Sequence, residues 1–444
     1  VGNGIVNLTR GERAIALEEI PVWEVDERVR HPFLSGQHAQ TRAERFPKAK
    51  YPDFRSGTPL FGQTRFENAA PVAKGLGGFH FVFDHSQGTP GIYDVLYFDE
   101  NGDGDLTDNI PRRPWREAPA VLVPPGPEEE NIYFEPVNVR FDFGPQGPRA
   151  VELLPHLWLP RRGMPRFSLI PTRLRRGRFE IDGISYEVFL GHWPVITGRF
   201  DLPSTALVLL PECGQSTLRP GGDRLNTAHR LGGRYYRFSC TPTGDQLFVR
   251  PYDGPLGVLE LGAGGRTVKR LEMEGCLVSP EMVVMVSDDL EGGPPGLIQR
   301  CRIPVGDYAE SLLLITLGDI RFVVSHNCYH VDEERTSETL VGVRIGEDKP
   351  FILDFSNKPA LMFLQPEHQQ RVALADEIRI DTALIDPVLD LMIRGIEDMT
   401  HPEPEALRRP RGIRARERGA PLEPTVVIRR ANGKKVVQDG MRFG

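Results

Sequence analysis

Cysteine is scarce in this 444-residue chain: there are five, Cys213, Cys240, Cys276, Cys301 and Cys328, and none belongs to a C-x-x-C pair. That spacing excludes a thioredoxin-type redox motif, a c-type haem site and a zinc ribbon. In an exported chain the five would allow two disulfides and leave one thiol over, whereas in a reducing compartment they would be buried free thiols. Sequence alone leaves the pairing open. Long apolar runs are also missing. The longest candidate, Leu312–Leu317, falls well short of the roughly 18 residues that a membrane-crossing helix needs, so no membrane span is expected. Positive charge is not in excess: the formal net charge is −7, with no basic stripe, RNP-like motif or helix-turn-helix pattern, which argues against nucleic acid as a partner. H-E-x-x-H, a G-x-S-x-G elbow, a P-loop and a strand-following G-x-G-x-x-G are all absent, and the expectation is a protein that is not an enzyme. The four tryptophans, Trp23, Trp115, Trp158 and Trp193, are too dispersed for a sugar-stacking platform and read as core or interface anchors.

Glycine and proline are abundant, at 46 and 40 residues, and they punctuate short β-branched and aromatic runs. The expected fold class is all-β, a series of β-sandwich modules of Ig-like or prealbumin-like type with little helix. Strand-like runs cover Phe79–Asp84, Ile92–Phe98 and Val137–Phe143. Asp182-Gly183 and Asn432-Gly433 are hairpin-turn pairs, the second joining Thr425–Arg429 to Lys435–Gln438. These signals divide the chain into an N-terminal arm or linker (1–45), a first β-module (46–160), a second module that is a candidate diverged repeat (161–269), a small sandwich-like module (270–338) and a C-terminal Ig-like module (339–444). The arm around Asn3–Leu17 is a candidate strand donor to another copy.

The most specific chemistry lies in Asp99–Asp108, a D-x-N-x-D-G-D loop that follows a strand-like run. A hard cation such as Ca2+ takes about six to eight oxygen ligands, and alternate residues of a tight loop converge on one point. Asp99, Asn101 and Asp103 supply side-chain oxygens, Gly104 allows the sharp turn, Asp105 offers its backbone carbonyl, and Thr107 sits where coordination often runs through water. Position twelve is Ile110 instead of a bidentate Glu, so Asp108 must complete the shell or leave it open. The predicted ligands are therefore Asp99, Asn101, Asp103, Asp105 and Asp108, with Ca2+ as cofactor. The competing reading is a plain Asn-Gly/Asp-Gly turn with solvated acids. The related segment Thr197–Asp201 has Trp193 and Val195 where oxygens would be needed, and no ion is expected there.

Two weaker constellations remain. His326, Cys328 and His330 would share one face of a continuing strand, but at about 7 Å spacing, awkward for a single ion; whether they bind a metal stays open. Asp386 and Asp390 form an acid pair of a kind expected in any chain with 26% charged residues.

The segments Tyr51–Gly62, Tyr93–Asp108, Thr197–Asp201, Pro251–Gly257 and Ile385–Gly395 resemble a family of large exported, β-rich proteins of planctomycete-type bacteria that carry such a loop. The resemblance implies export and a modular β build but no reaction, and only the loop carries over residue by residue. A start at Val1, with no basic and apolar leader, fits either a mature form after signal removal or a trimmed chain. The expected function is a calcium-stabilised structural or assembly protein, extracellular, at the cell surface or periplasmic, that self-associates or binds other envelope components. The alternatives are a carbohydrate- or protein-binding modular protein and a hydrolase with an unrecognised site.

Overall fold

A computed structural model describes residues 11–34, 36–71, 78–86, 93–116, 118–119, 122, 130–160, 165–193, 195–212, 224–262, 270–286, 300–326, 342–365, 381–402, 419–423, 425–429 and 432–440. The chain is all-β, as its composition predicts. Among the described residues there is one α-helix, Glu27–Leu34. The chain divides into two compact units: Val1–Leu218 with Gly222–Asn226 and Phe238–Arg250, and Arg219–Gly221 with Thr227–Arg237 and Pro251–Gly444.

The first unit is built around an eight-stranded antiparallel sheet. Its order is Val95–Phe98, Phe79–Asp84, Leu60–Thr64, Gln37–Arg42, Arg166–Pro171, Pro148–Leu159 and Glu130–Tyr133, with Val137–Asp142 also on Pro148–Leu159. The two ends of this order are joined by the segment 112–115. Arg112 exchanges backbone hydrogen bonds with Leu96 (2.7 and 3.0 Å), the Trp115 N–H donates to Tyr133 (2.7 Å), and the Glu135 N–H donates to Arg113 (2.9 Å). The sheet thereby closes on itself as a barrel, through an isolated bridge to the first end strand and another just beyond the last.

Alternation along the strands sends one residue in two to the barrel interior. That interior is dominated by phenylalanine: Phe79, Phe81, Phe83, Phe98, Phe134, Phe141 and Phe167 are all buried, with Leu96, Leu157 and Leu169 among them. Ring centroids of Phe81 and Phe167 lie 4.3 Å apart, and those of Phe83 and Phe134 5.4 Å, the offset and tilted contacts that aromatic quadrupoles favour. Gly62 faces the same space, and a Cβ built there would stand 1.9 Å from the Phe81 ring.

A second sheet of this unit runs Ala206–Pro211, Ile184–Gly191, Arg173–Ile181 and Glu18–Pro21. Its hairpin turns at Asp182 (φ +50°) and Gly183 (φ +80°), the left-handed pair that the Asp-Gly dipeptide predicts. In the second unit a long sheet passes from Val283–Val286 through Leu271–Val278, Glu310–Leu317, Ile320–His326, Leu391–Pro402 and Asp381–Asp386 to Ala360–Gln365. It shares a core with the three-stranded sheet Arg300–Pro304, Leu256–Gly262 and Phe351–Asp354 through Leu259, Ile303, Leu353, Leu277, Leu313 and Ile315. The terminal hairpin forms as predicted, Thr425–Arg429 on Lys435–Gly440.

The predicted module boundaries differ from this organisation. A cut at 45 separates Gln37–Arg42 from its partner Leu60–Thr64, and a cut at 160 separates Pro148–Leu159 from Arg166–Pro171. A cut at 338 divides the parallel pair Leu256–Gly262 and Phe351–Asp354. Gly/Pro clusters mark where the chain reverses, not where a core closes, and the closing contacts here join strands far apart in sequence. The N-terminal arm is corrected in the same way. Arg13–Ala16 pairs antiparallel with Gln246–Val249 of its own chain, so this part is not a free donor strand, while residues 1–10 lie outside the described residues.

Gly62→Ala forces a methyl group into the Phe81 ring and is expected to cost about 1–3 kcal/mol, the range for overpacked cores. Urea unfolding followed by fluorescence checks this, with an unchanged midpoint as the contrary result.

Candidate metal centre

Strand Val95–Phe98 runs into the acidic loop at Asp99, which is fully buried. Its carboxylate organises the turn. Oδ1 accepts the N–H groups of Gly102 (2.8 Å) and Asp103 (3.1 Å), and Oδ2 accepts that of Gly104 (3.0 Å). To aim three successive donors inward, the backbone takes left-handed conformations at Gly102 (φ +71°) and Gly104 (φ +80°). Gly104 is the turn residue that the loop pattern predicts. Gly102 has a second reason to be glycine, since a Cβ there would lie 2.5 Å from the Pro71 Cβ.

The same device repeats along the loop. Asn101 Oδ1 accepts the Asp103 N–H (2.9 Å), Asp103 Oδ1 accepts the Asp105 N–H (2.7 Å), and Asp105 Oδ1 accepts the Thr107 N–H (3.1 Å) and its hydroxyl (2.5 Å). Each short acceptor side chain thus closes a turn on the backbone two residues on. The structure brings Asp99, Asn101 and Asp103 together: their oxygens share donors, and the Asn101 amide donates to Asp103 Oδ2 at 3.0 Å. It sends the other two predicted ligands elsewhere. Asp105 Oδ2 pairs with Lys50 Nζ at 2.7 Å, and Asp108 Oδ1 accepts from the Asn109 amide at 2.9 Å. The Asp105 carbonyl, expected as a ligand, also accepts from Asn109, at 2.8 Å.

The donor set is all oxygen, which suits a hard cation. An ionised carboxylate offers about four lone-pair positions, so three N–H donors leave Asp99 with acceptor capacity, and Asp103 and Asn101 add more. Among the described residues no group of three or more Asp, Glu, His and Cys side chains is arranged to hold a metal ion, so any ion at this loop would rest on Asp99, Asn101 and Asp103 with backbone or water oxygens.

Electrostatics separates the acids. Burial, the largest influence, pushes the Asp99 carboxyl up, with neighbouring Asp103 adding to it, against the pull of the Gly104 and Gly102 N–H groups. Asp105 goes the other way, down to about 2, through its hydrogen bonds with Lys50 and Thr107. Asp105 therefore contributes stability that is complete above pH ~4 and fades as pH falls toward 2, whereas Asp99 loses favour as pH rises through its raised folded value.

Sequence reasoning missed how the loop is anchored. Lys50, 55 positions away along the chain, donates its N–H to the Gly104 carbonyl (2.8 Å) and accepts from the Leu106 N–H (3.0 Å), a parallel bridge of segment 46–54 to the loop. Leu106 is fully buried on the outer barrel wall with Phe61 and Val82, under Phe46, Tyr51 and Phe54. A single apolar residue inside an acid-rich loop was the available signal; nothing near Lys50 announces its partner. Glu100 fixes the far side, contacting the Arg112 guanidinium and accepting the Asn138 N–H at 2.9 Å.

The other candidates resolve as follows. His326 ends its strand with Nδ1 buried and with no hydrogen-bond partner among the described residues, while Cys328 and His330 lie outside them. Asp386 is buried and accepts the N–H groups of Val388 (2.9 Å) and Leu389 (3.0 Å), a turn-forming role, and Asp390 follows with φ +52°. Cys240, Cys276 and Cys301 are free thiols, so no disulfide uses them; Cys213 and Cys328 lie outside the described residues. Trp23 and Trp115 meet edge to face at 5.9 Å over Leu122, Leu154 and Ile170, the anchoring role expected of them. No helix among the described residues is long and apolar enough to cross a membrane.

Compared with protein-family models, with curated proteins and with solved structures, the chain has no match.

Leu106→Ala is expected to cost about 2–5 kcal/mol, the range for a deleted core leucine. Lys50→Ala removes an exposed ion pair, which solvent screens, and should lower the midpoint far less than Leu106→Ala. Urea midpoints of the two variants check the order, and a larger loss at Lys50 would show that charge, not burial, holds the loop.

Proposed function

We propose that this chain is a non-enzymatic structural or assembly protein of the cell surface or extracellular space, and that its Asp99–Asn109 loop takes a calcium ion that stiffens the first unit. The observation that carries the reading is the fully buried Asp99 carboxylate, grouped with the oxygens of Asn101 and Asp103 at the end of a barrel strand. Burial disfavours its charge, and a bound cation offsets that cost. The resemblance to exported β-rich proteins supports the location, and the all-β build in two units supports a scaffold role. Self-association or binding to envelope components follows from that role.

The test is thermal melting and light scattering of the purified chain with Ca2+ and then with excess EGTA, beside Asp99→Ala. Calcium is expected to raise Tm in the wild type and to leave the variant unchanged. At a free ion concentration 100 times Kd the stabilisation amounts to about 2.7 kcal/mol. Identical melting curves with Ca2+ and EGTA would leave the loop a self-contained turn and remove the calcium reading. A chain that stays monomeric under both conditions would remove the assembly reading.

A further inference from the structure

The outer wall of the barrel carries a second polar constellation, remote in sequence from the acidic loop. Strands Glu130–Tyr133, Pro148–Leu159, Arg166–Pro171 and Gln37–Arg42 lie side by side, and their register sets Tyr133, His156, Ser168 and His38 in one row across the sheet. Residues directly opposite in antiparallel strands share a face. Their sequence neighbours Ile132, Leu157 and Phe167 belong to the barrel core, so the row faces outward.

Within the row, His156 Nδ1 lies 3.2 Å from Ser168 Oγ, and its Nε2 lies 2.9 Å from Asn131 Oδ1. The Tyr133 ring stacks on the imidazole at 4.4 Å with 12° between the planes. Tyr133 is itself tethered, its hydroxyl donating to the Leu122 carbonyl at 2.7 Å. An amide oxygen only accepts, so with Asn131 presenting its Oδ1 the imidazole hydrogen is assigned to Nε2, which turns the Nδ1 lone pair to the serine hydroxyl. This is the order of a nucleophilic relay: hydroxyl, base, and a group that orients the base. His38 and Tyr133 are the titratable groups that share the row, and Arg166 stands in the next row with its guanidinium 4.9 Å from the Trp158 ring. Burial, with His38 adding to it, pulls the His156 imidazole down to about 4, so it is in its base form at neutral pH.

We propose that Ser168 is a nucleophilic hydroxyl, with His156 as its base and Asn131 as a positioning residue, and that it is a site of covalent acylation by small activated carboxylic esters. Ser168 Oγ forms a bond to the ester carbonyl carbon while its proton passes to His156 Nδ1. Collapse of the tetrahedral adduct breaks the bond to the leaving alkoxide, which takes that proton and departs as an alcohol, leaving acyl-Ser168. Ser168 is 4% exposed, whereas His156 and Asn131 are half-buried, so the acyl group proposed is a compact one that approaches past the imidazole. A base of low pKa makes the step slow, and the expected outcome is one stoichiometric acylation.

The experiment incubates the full chain with p-nitrophenyl acetate at pH 7.5 and follows p-nitrophenolate release, intact mass and peptide masses. One acetyl group per chain is expected on the peptide that holds Ser168. It should be absent in Ser168→Ala and form about 100-fold more slowly in His156→Gln, the lower end for loss of a general base. In the wild type the rate should be flat from pH 6 to 8 and fall as pH drops toward 4. Two measurements need no loss of a core side chain. 15N spectra of the wild-type imidazole should show hydrogen on Nε2 of His156, and Asn131→Leu should mix the tautomers while slowing acetylation. No acetyl on Ser168 in the wild type, unchanged acetylation in a folded His156→Gln variant, or hydrogen on Nδ1 would each overturn the assignment.

Discussion

A buried carboxylate that accepts three consecutive backbone N–H groups sets the form of the whole acidic loop, because those donors replace the water that burial takes from Asp99. Hydrogen bonds to a charged acceptor contribute about 1.5–3 kcal/mol each, and leaving such a group unpaired costs more than leaving a neutral one. The two left-handed glycines exist to turn those donors inward. Once the turn is made, Leu106 is carried to the outer barrel wall and the Lys50 backbone is captured beside it, so an interaction within five residues fixes a segment fifty positions earlier. Burial disfavours the Asp99 charge and the neighbouring Asp103 adds to that cost, which is the cost the proposed cation would offset.

The barrel determines where both chemical features sit. Its interior is closed by phenylalanine rings, and a core of this kind leaves no room for water or ligand. Both polar constellations lie outside that interior, on the outer wall and in a loop at a strand end. The acidic loop occupies a strand end beside Phe61 and Val82, and the His156 row occupies the wall formed by four other strands. In both places a polar group is held by several neighbours at once: backbone donors around Asp99, and a stacked Tyr133 beside His156.

Local signals in the sequence located what depends on a few adjacent residues. The Asp-Gly and Asn-Gly turns, the alternation of Val137–Asp142 and the glycine at the loop's sixth position all appear where sequence patterning puts them. Three of the five predicted ligands come together for the same reason, since Asp99, Asn101 and Asp103 lie within one turn. Asp105 and Asp108 part from them because Lys50 and Asn109 compete for their oxygens, and neither competitor is visible in a pattern of loop spacings. Barrel closure was not legible either. It depends on Arg112–Trp115, a short Arg/Pro-rich stretch with no strand alternation, pairing with strands on both sides. The His156 row joins four strands, and its members are scattered from His38 to Ser168, so only the fold assembles it.

The most direct test of this account is amide hydrogen exchange of the wild type beside Asp99→Ala, resolved to single residues. If the Asp99 carboxylate holds the loop and, through it, segment 46–54, then the amides of Gly102, Asp103 and Gly104 and those of Lys50 and Leu106 lose protection together, while Phe81, Phe83 and Phe167 in the barrel strands keep theirs. Unchanged protection at Lys50 and Leu106 would contradict it, showing that the segment is held by burial alone and that the carboxylate governs nothing beyond its own turn.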